Sequence, residues 1–249
     1  MIGIVLAAGY ATRMGELTKN FPKPLLKVEG RTVLNWLLAD IETIPEIERV
    51  YVVCNHKFIG FFKQWLQEQT AAFRKPIHLL DDGSMSKETR LGAVKDIAFA
   101  LEHIGVNQDA LVLAGDNVLE FPLQGFVDFF QAKQRSCIMC YREPDLEKQR
   151  RTGIITVNKD FRVTSFAEKP QQPPSDLAVP PFYCYTRADL NLLPQAFAEG
   201  CPTDDPGSFA AYIGSKSELY AWQMPGKRYD IGTIPGYEQV QKLYKPFLK

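Results

Sequence analysis

Residues 6–27, LAAGYATRMGELTKNFPKPLLK, constrain what this chain can become more than any other stretch. They follow a short apolar run, Ile2, Ile4, Val5 and Leu6, of the kind that forms a buried parallel strand. Gly9 breaks the run among small residues, so the backbone can turn sharply and bring its N–H groups close to an anion. Arg13, Lys19, Lys23 and Lys27 add positive charge over the same stretch. A strand that runs into a glycine turn and then into spaced cations reads as a cradle for a polyphosphate. The competing reading is an ordinary strand-to-helix turn with solvated lysines. The two best-known cradles are absent. Glu16 stands where a P-loop lysine would follow Gly15, and Gly9 is alone where a dinucleotide fingerprint needs three glycines.

The rest of the first half continues the opening strand in kind. Apolar strand-like runs at 50–54 (VYVVC), 76–80, 110–114 (ALVLA) and 136–142 alternate with helical patterns at 31–43, 58–69, 88–103 and 123–133. Such alternation predicts an α/β fold, a doubly wound, mostly parallel sheet covered on both faces. The second half has a different texture. Residues 153–157 and 163–166 read as a hairpin, and 170–181, with five prolines, as a surface loop. A strand (182–185), helices at 188–199 and 209–216, a strand at 219–224 and a helix at 235–244 complete the chain. The expectation is one domain over 1–249 in two halves, 1–142 and 143–249, the second containing the hairpin.

Composition narrows the function classes. Lysine plus arginine and aspartate plus glutamate are 29 each among 249 residues, so no global field favours nucleic acid or an anionic membrane. No apolar run reaches the roughly 18 residues of a membrane span, and the first residues lack a signal-peptide charge pattern. Five scattered cysteines, Cys54, Cys137, Cys140, Cys184 and Cys201, read as reduced thiols of a cytoplasmic protein. Cys137 and Cys140 sit three apart on a predicted strand, where they point to opposite faces, so a redox or zinc pair is disfavoured. Phe58, Phe61, Phe62 and Trp65 have helical spacing and are assigned to the core.

Two aspartates and one acid–base pair stand out. Asp116 follows the ALVLA strand in Gly115-Asp116-Asn117, at the strand end where open α/β sheets bind ligands. A carboxylate there could hold Mg²⁺, although an aspartate in this position equally starts a turn or caps a helix. Asp230 lies in Tyr229-Asp230-Ile231-Gly232-Thr233, far along the chain. Glu168-Lys169-Pro170 ends a predicted strand, where a solvated ion pair is the plain reading. Asp204-Asp205-Pro206-Gly207 reads as a turn, since a calcium loop needs more acids at regular spacing.

Together these segments resemble the sugar-1-phosphate nucleotidyltransferases, the group that includes glucose-1-phosphate thymidylyltransferases and uridylyltransferases. The pattern L-A-A-G-x-x-[ST]-R, then P-K, an apolar run and G, is matched at Leu6, Ala7, Ala8, Gly9, Thr12, Arg13, Pro22, Lys23, Pro24 and Gly30. The resemblance implies nucleotide contacts at Leu6, Ala7, Ala8, Gly9, Thr12, Arg13 and Gly115, with Arg13 and Lys23 as the catalytic cations. It implies Asp116 and Asp230 as the carboxylates for Mg²⁺. Gly153, Glu168 and Lys169 would receive the acceptor, the glutamate facing sugar hydroxyls and the lysine the phosphate. The implied reaction joins a sugar 1-phosphate to a nucleoside triphosphate, giving an NDP-sugar and pyrophosphate. A homodimer is common in the family, and neither nucleic acid nor membrane is an expected partner. The resemblance makes 1–142 mainly the nucleotide half and 143–249 mainly the acceptor half, and with few residues after Tyr244 no appended β-helix domain is expected.

The pattern departs in two places. Asp81-Asp82-Gly83-Ser84 and the residues after it replace the Gln and Gly-rich segment usual in thymidine- and uridine-using members, leaving uridine, thymidine, cytidine and guanosine all open. Val179-Pro180-Pro181-Phe182-Tyr183 replaces N-[TA]-G-x-Y, leaving the acceptor open. The alternatives are therefore a cytidylyltransferase acting on a non-sugar phosphate such as phosphocholine, or a phosphonate, and a non-catalytic nucleotide-sugar-binding subunit.

Overall fold

In the computed structural model, residues 1–11, 14–69, 72–105 and 108–248 are described. The chain divides into two compact units that interleave along the sequence. One comprises Met1–Leu91, Ala114–Gln124 and the residues from Pro225 onward, the other Gly92–Leu113 and Gly125–Met224. Residues 92–113 and 125–142, expected in the nucleotide half, thus lie in the second unit, and the chain from Pro225 returns to the first.

The chain opens with β1 (Ile2–Leu6), the single turn α1 (Glu16–Lys19), the short ladder β2 (Lys27–Val28) and β3 (Arg31–Thr32), and α2 (Val33–Glu42). β4 (Val50–Cys54), α3 (Ile59–Gln69) and β5 (Ile77–Asp81) follow. α4 (Ala93–Ile104) and β6 (Ala110–Ala114) carry the chain through the second unit, and β7 (Asn117–Leu119) lies in the first. The second unit then takes α5 (Gln124–Lys133), β8 (Cys137–Arg142), α6 (Leu146–Gln149), β9 (Gly153–Val157), β10 (Val163–Glu168), β11 (Leu177–Val179) and β12 (Phe182–Tyr185). It closes with α7 (Arg187–Leu190), α8 (Leu193–Ala198), α9 (Gly207–Lys216) and β13 (Tyr220–Gln223), before β14 (Arg228–Asp230) and α10 (Ile234–Leu243) end the chain in the first unit.

In the first unit β1, β4 and β5 pair in parallel, each crossing between them carrying a helix, as α/β connections do. Every residue of β4 and the first four of β1 are buried and carry no charged side chain, the mark of strands covered on both faces. A second ladder, β7 against β14, pairs Val118 with Tyr229. It packs in a cluster of Met14, Leu26, Val28, Val33, Trp36, Val118, Ile231, Val240 and Tyr244. Within the second unit the strand order is β10-β9-β11-β8-β12-β6, antiparallel throughout, with β13 parallel to β8. The expected hairpin is β9–β10.

Four local expectations change. The helix expected from Glu88 begins at Ala93, because Gly92 has φ +93° and a Cβ there would lie 2.6 Å from the Thr203 carbonyl oxygen. The proline-rich stretch contains β11, whose three apolar residues are buried between β8 and β9. Ser175 prepares that strand: its Oγ accepts from Leu177 N at 3.0 Å. The helix expected over 188–199 divides into α7 and α8, since Pro194 in the first turn of α8 cannot sit inside a continuous helix. Phe61 is 40% exposed rather than core, with its ring edge-on to Phe21, whereas Phe58, Phe62 and Trp65 are buried.

Candidate active site

The glycine turn is built on the end of β1. Ala7 N donates to Val53 O at 2.8 Å, extending the ladder one residue past the strand, and Ala7 and Ala8 are buried. Asn55, wholly buried, donates from Nδ2 to Ala8 O at 3.1 Å and accepts from Phe58 N, so it ties the turn to the start of the next helix. Gly9 is exposed, and a Cβ added there would meet nothing within 4 Å, leaving open space over the turn. Ala11 has φ +46°, and its carbonyl accepts from Met14 N and Thr18 Oγ1, both at 3.0 Å. Thr12 and Arg13 lie outside the described residues.

Gly115 is required by a close approach. Its N–H donates to Leu6 O at 2.8 Å, and a Cβ would stand 3.1 Å from the Val5 side chain and 3.3 Å from that carbonyl. The next residue, Asp116, meets Lys23. Lys23 opens a 3-10 turn after Pro22 and is 7% exposed, and its Nζ contacts Asp116 Oδ2 and lies 3.5 Å from Asp230 Oδ1. The β7–β14 register brings the acids together: Asp230 pairs with Asn117, and Ile231 N donates to Asp116 O at 3.0 Å. Asn117 Nδ2 holds Asp116 Oδ1 at 2.8 Å, while Arg228 donates to Asn117 Oδ1 at 2.5 Å. Tyr229, on the opposite face, donates from its hydroxyl to Glu120 Oε1 at 3.0 Å and anchors the strand. Two carboxylates and one nearly dry ammonium thus occupy a single cluster.

The chemistry of this donor set fits Mg²⁺. The acids offer only hard oxygen ligands, they already share one cation, and Asn117 leaves Asp116 Oδ2 as the oxygen turned toward it. Among the described residues no group of three or more His, Cys, Asp or Glu could hold a metal, so an ion here would complete its shell with water and phosphate oxygens.

Beside the glycine turn, Tyr10 hydroxyl and Ser84 Oγ are 2.9 Å apart. Ser84 also donates to Asp82 through its N–H at 2.7 Å and its Oγ at 2.9 Å. Burial pushes the Asp82 carboxyl up, against the pull of these hydrogen bonds. The segment that replaces the usual Gln and glycines is therefore an ordered wall attached to the turn.

The second unit carries the other cluster. The β9–β10 register sets Glu168 opposite Gly153, and a Cβ on Gly153 would lie 2.9 Å from the Phe166 ring and 3.1 Å from Glu168 Oε2. A Cβ on Gly207, the first residue of α9, would strike Glu168 Oε2. The carboxyl thus lies in a cradle of two glycines. Burial, and then the charge of Asp205, push it up to about 7, with Lys169 pulling the other way. Lys169 has φ +48°, and its Nζ lies 2.5 Å from Asp205 Oδ2. Gly153, Glu168 and Lys169 are brought together as expected from the sequence. Asp205 and Gly207, read there as turn residues, join them. The available signal was an Asp-Pro-Gly immediately ahead of a helical pattern. Asn55, Asn117 and Arg228 also went unmarked, since buried polar partners have no sequence period.

Cys137, Cys140, Cys54 and Cys184 are all buried, and burial raises each thiol, those of Cys54, Cys137 and Cys140 to about 12. The Cys137–Cys140 spacing is a core feature. No helix among the described residues is long and apolar enough to cross a membrane.

The chain is 26% identical over 249 residues to a glucose-1-phosphate adenylyltransferase of Fervidobacterium nodosum, with 95% of this chain and 59% of that protein covered. A Geobacillus stearothermophilus protein of the same name is 27% identical over 244 residues, covering 94% of this chain and 63% of its own. The chain therefore spans about three fifths of the length of these curated relatives. Among solved structures, that of a UDP-glucose pyrophosphorylase with UDP-glucose superposes with a TM-score of 0.80 at 21% identity, over 97% of this chain and 98% of that one, and shares the Rossmann-like α/β fold. The sequence profile described as nucleotidyl transferase matches residues 2–245, and the chain belongs to the nucleotidyl transferase family.

Proposed function

We propose that the protein transfers a nucleoside monophosphate from an NTP to a sugar 1-phosphate, giving an NDP-sugar and pyrophosphate, with Mg²⁺ as cofactor. The observation that carries this reading is the meeting of Lys23, Asp116 and Asp230, three residues from distant parts of the chain, where Gly115 binds the end of β1 at Leu6 O.

The reaction joins two anions, so bringing charge-neutralising groups and an in-line geometry to the α-phosphorus supplies most of the acceleration. The attacking phosphate oxygen is already ionised at neutral pH, so no general base is needed; the chain has three histidines, none in these clusters. Leu6, Ala7, Ala8 and Gly9 present backbone to the nucleotide, and Gly115 lets the Asp116 loop approach them. Arg13 clamps the β- and γ-phosphates and favours departure of pyrophosphate, a task suited to a permanently charged planar fork. Lys23 holds phosphate oxygens, and its near-complete burial strengthens that attraction. Asp116 and Asp230 would hold Mg²⁺, which supplies charge neutralisation at phosphate oxygens when bound. In the second unit Lys169 takes the acceptor phosphate. Glu168, with a carboxyl near 7, presents both an acceptor and a donor form to sugar hydroxyls around neutral pH.

ATP with glucose 1-phosphate is the first pair to try, on the names of the curated relatives. The test is a matrix of nucleoside triphosphates against phosphorylated acceptors, phosphocholine included, with and without magnesium, read by pyrophosphate release. Metal-dependent turnover with a sugar 1-phosphate, lost in Asp116→Ala and Arg13→Ala, is the expected result. Turnover unchanged in either variant, or seen only with a non-sugar phosphate, refutes the assignment.

A further inference from the structure

The reaction proposed above leaves Asp205 without a task, yet its carboxylate sits on the lysine assigned to the acceptor. Lys169 Nζ and Asp205 Oδ2 are 2.5 Å apart, with side chains 47% and 38% exposed. Asp205 stands just before α9, and its carbonyl accepts from Ser208 N at 3.1 Å. Its carboxylate does not cap that helix: the N-cap is Pro206, and no side chain caps the first turn. An aspartate in this place would ordinarily turn toward the helix amides, where negative charge is favoured. Here it turns to Lys169, whose backbone is held at φ +48° and whose N–H is fixed to Thr152 O.

We propose that Asp205 is an internal counter-ion that occupies Lys169 until a phosphate displaces it, and that it thereby places the same handicap on every anion that binds Lys169 at the acceptor site. The inference rests on the reading of Lys169 as the acceptor-phosphate residue. A phosphate dianion attracts the ammonium about twice as strongly as a single carboxylate at equal distance, so it can win the exchange. The displaced carboxylate has the uncapped first turn of α9 nearby to receive it. Because the pair is partly exposed, the handicap it places on anion binding is modest, about two- to fivefold.

Binding of inorganic phosphate and of formate to the full chain, measured by titration calorimetry at neutral pH, tests this without any turnover. Asp205→Asn is expected to tighten phosphate and formate alike, each about two- to fivefold. Asp205→Ser, which keeps a turn-forming side chain, is read in parallel. The gain should vanish when Lys169→Ala is added. Phosphate binding unchanged or weakened in both Asp205 variants, or a gain that survives without Lys169, overturns the proposal. If no acceptor gives pyrophosphate release while the Asp205 effect is present, the reaction fails and the counter-ion stands. Sugar-phosphate turnover with an unmoved acceptor KM in Asp205→Asn rejects the counter-ion and leaves the reaction standing.

Discussion

Replacing Lys23 by methionine isolates the electrostatic core of the first unit while keeping most of the side-chain volume. The lysine side chain is 9% exposed, against 31% for Asp116 and 48% for Asp230. At an effective dielectric near 20, unit charges about 4 Å apart attract by about 4 kcal/mol. The half-exposed Asp230 contact keeps less than about 1 kcal/mol of this after screening. The closer, drier contact with Asp116 keeps about 2–3 kcal/mol, below the roughly 3–5 kcal/mol lost when a fully buried pair is broken. A net destabilisation of about 2–4 kcal/mol follows, which for a chain of this size lowers Tm by roughly 5–15 °C. Divalent ions supply the control. On the proposed metal site, the ammonium of the wild type would compete with the ion for the same two carboxylates; in Lys23→Met the acids face each other unopposed. Magnesium should therefore raise the Tm of the variant more than that of the wild type, the shift growing as RT ln(1 + [Mg²⁺]/Kd). Thermal melts of both proteins across a magnesium series measure this directly. Equal magnesium shifts, or a variant as stable as the wild type without metal, would show that the three charges do not share one field.

The remaining expectations concern the second unit. Burial raises the Glu168 carboxyl from its ordinary 4.5 to about 7 in the folded chain, so folding takes up a proton between these values. Wild-type stability should fall relative to Glu168→Gln as pH rises through that window, by about 1–3 kcal/mol above it; parallel melting curves would reject the assignment. Gly207→Ala should displace the Glu168 carboxyl, raising the acceptor KM about tenfold or more with little change in the nucleotide KM. A variant whose two KM values move together would count against the cradle. A thiol reagent applied to the native chain at mildly alkaline pH should find Cys201 alone readily, and all five cysteines only after denaturation; fast labelling of Cys137 and Cys140 would contradict their burial. Gly92→Ala combines a φ of +93° with a collision at Thr203 O and should cost about 2–4 kcal/mol in a denaturant titration, with a loss below 1 kcal/mol excluding that geometry.

The parts of the fold that were legible in the sequence are those with a period. β1, β4 and β6 announce themselves as apolar runs, and α2 and α3 as helical stripes. The failures fall where a single residue or a neighbour decides. β11 was hidden because five prolines outweigh three apolar residues in any local count, although those prolines flank the strand rather than enter it. The start of α4 was misplaced by a glycine whose left-handed backbone is visible only against Thr203. Asp205 and Gly207 read first as a turn, and only second as neighbours of the acceptor pocket, for the same reason: a turn sequence says nothing of the carboxyl that will pack on it. Motif residues were legible because they are fixed in kind and spacing. Their supports, Asn55, Asn117 and Arg228, answer to partners elsewhere in the chain.

The ladder of β7 and β14 explains how two acids so distant in sequence can be committed to one cation. Along residues 228–231 the side chains alternate: Tyr229 and Ile231 go to the core cluster around Val118, while Arg228 and Asp230 face the other way. In an antiparallel pair a slip of one residue would turn Asp230 into that core and bring Tyr229 to the lysine. Burying an unpaired carboxylate is costly enough to forbid the slip. The register is pinned three more times, by Ile231 N on Asp116 O, by Tyr229 on Glu120, and by Gly232, where a Cβ would stand 3.0 Å from Asp230 Oδ2. Hydrophobic alternation therefore does more here than bury surface. It aims the second acid, and the same core that stabilises the first unit fixes the position of its charge.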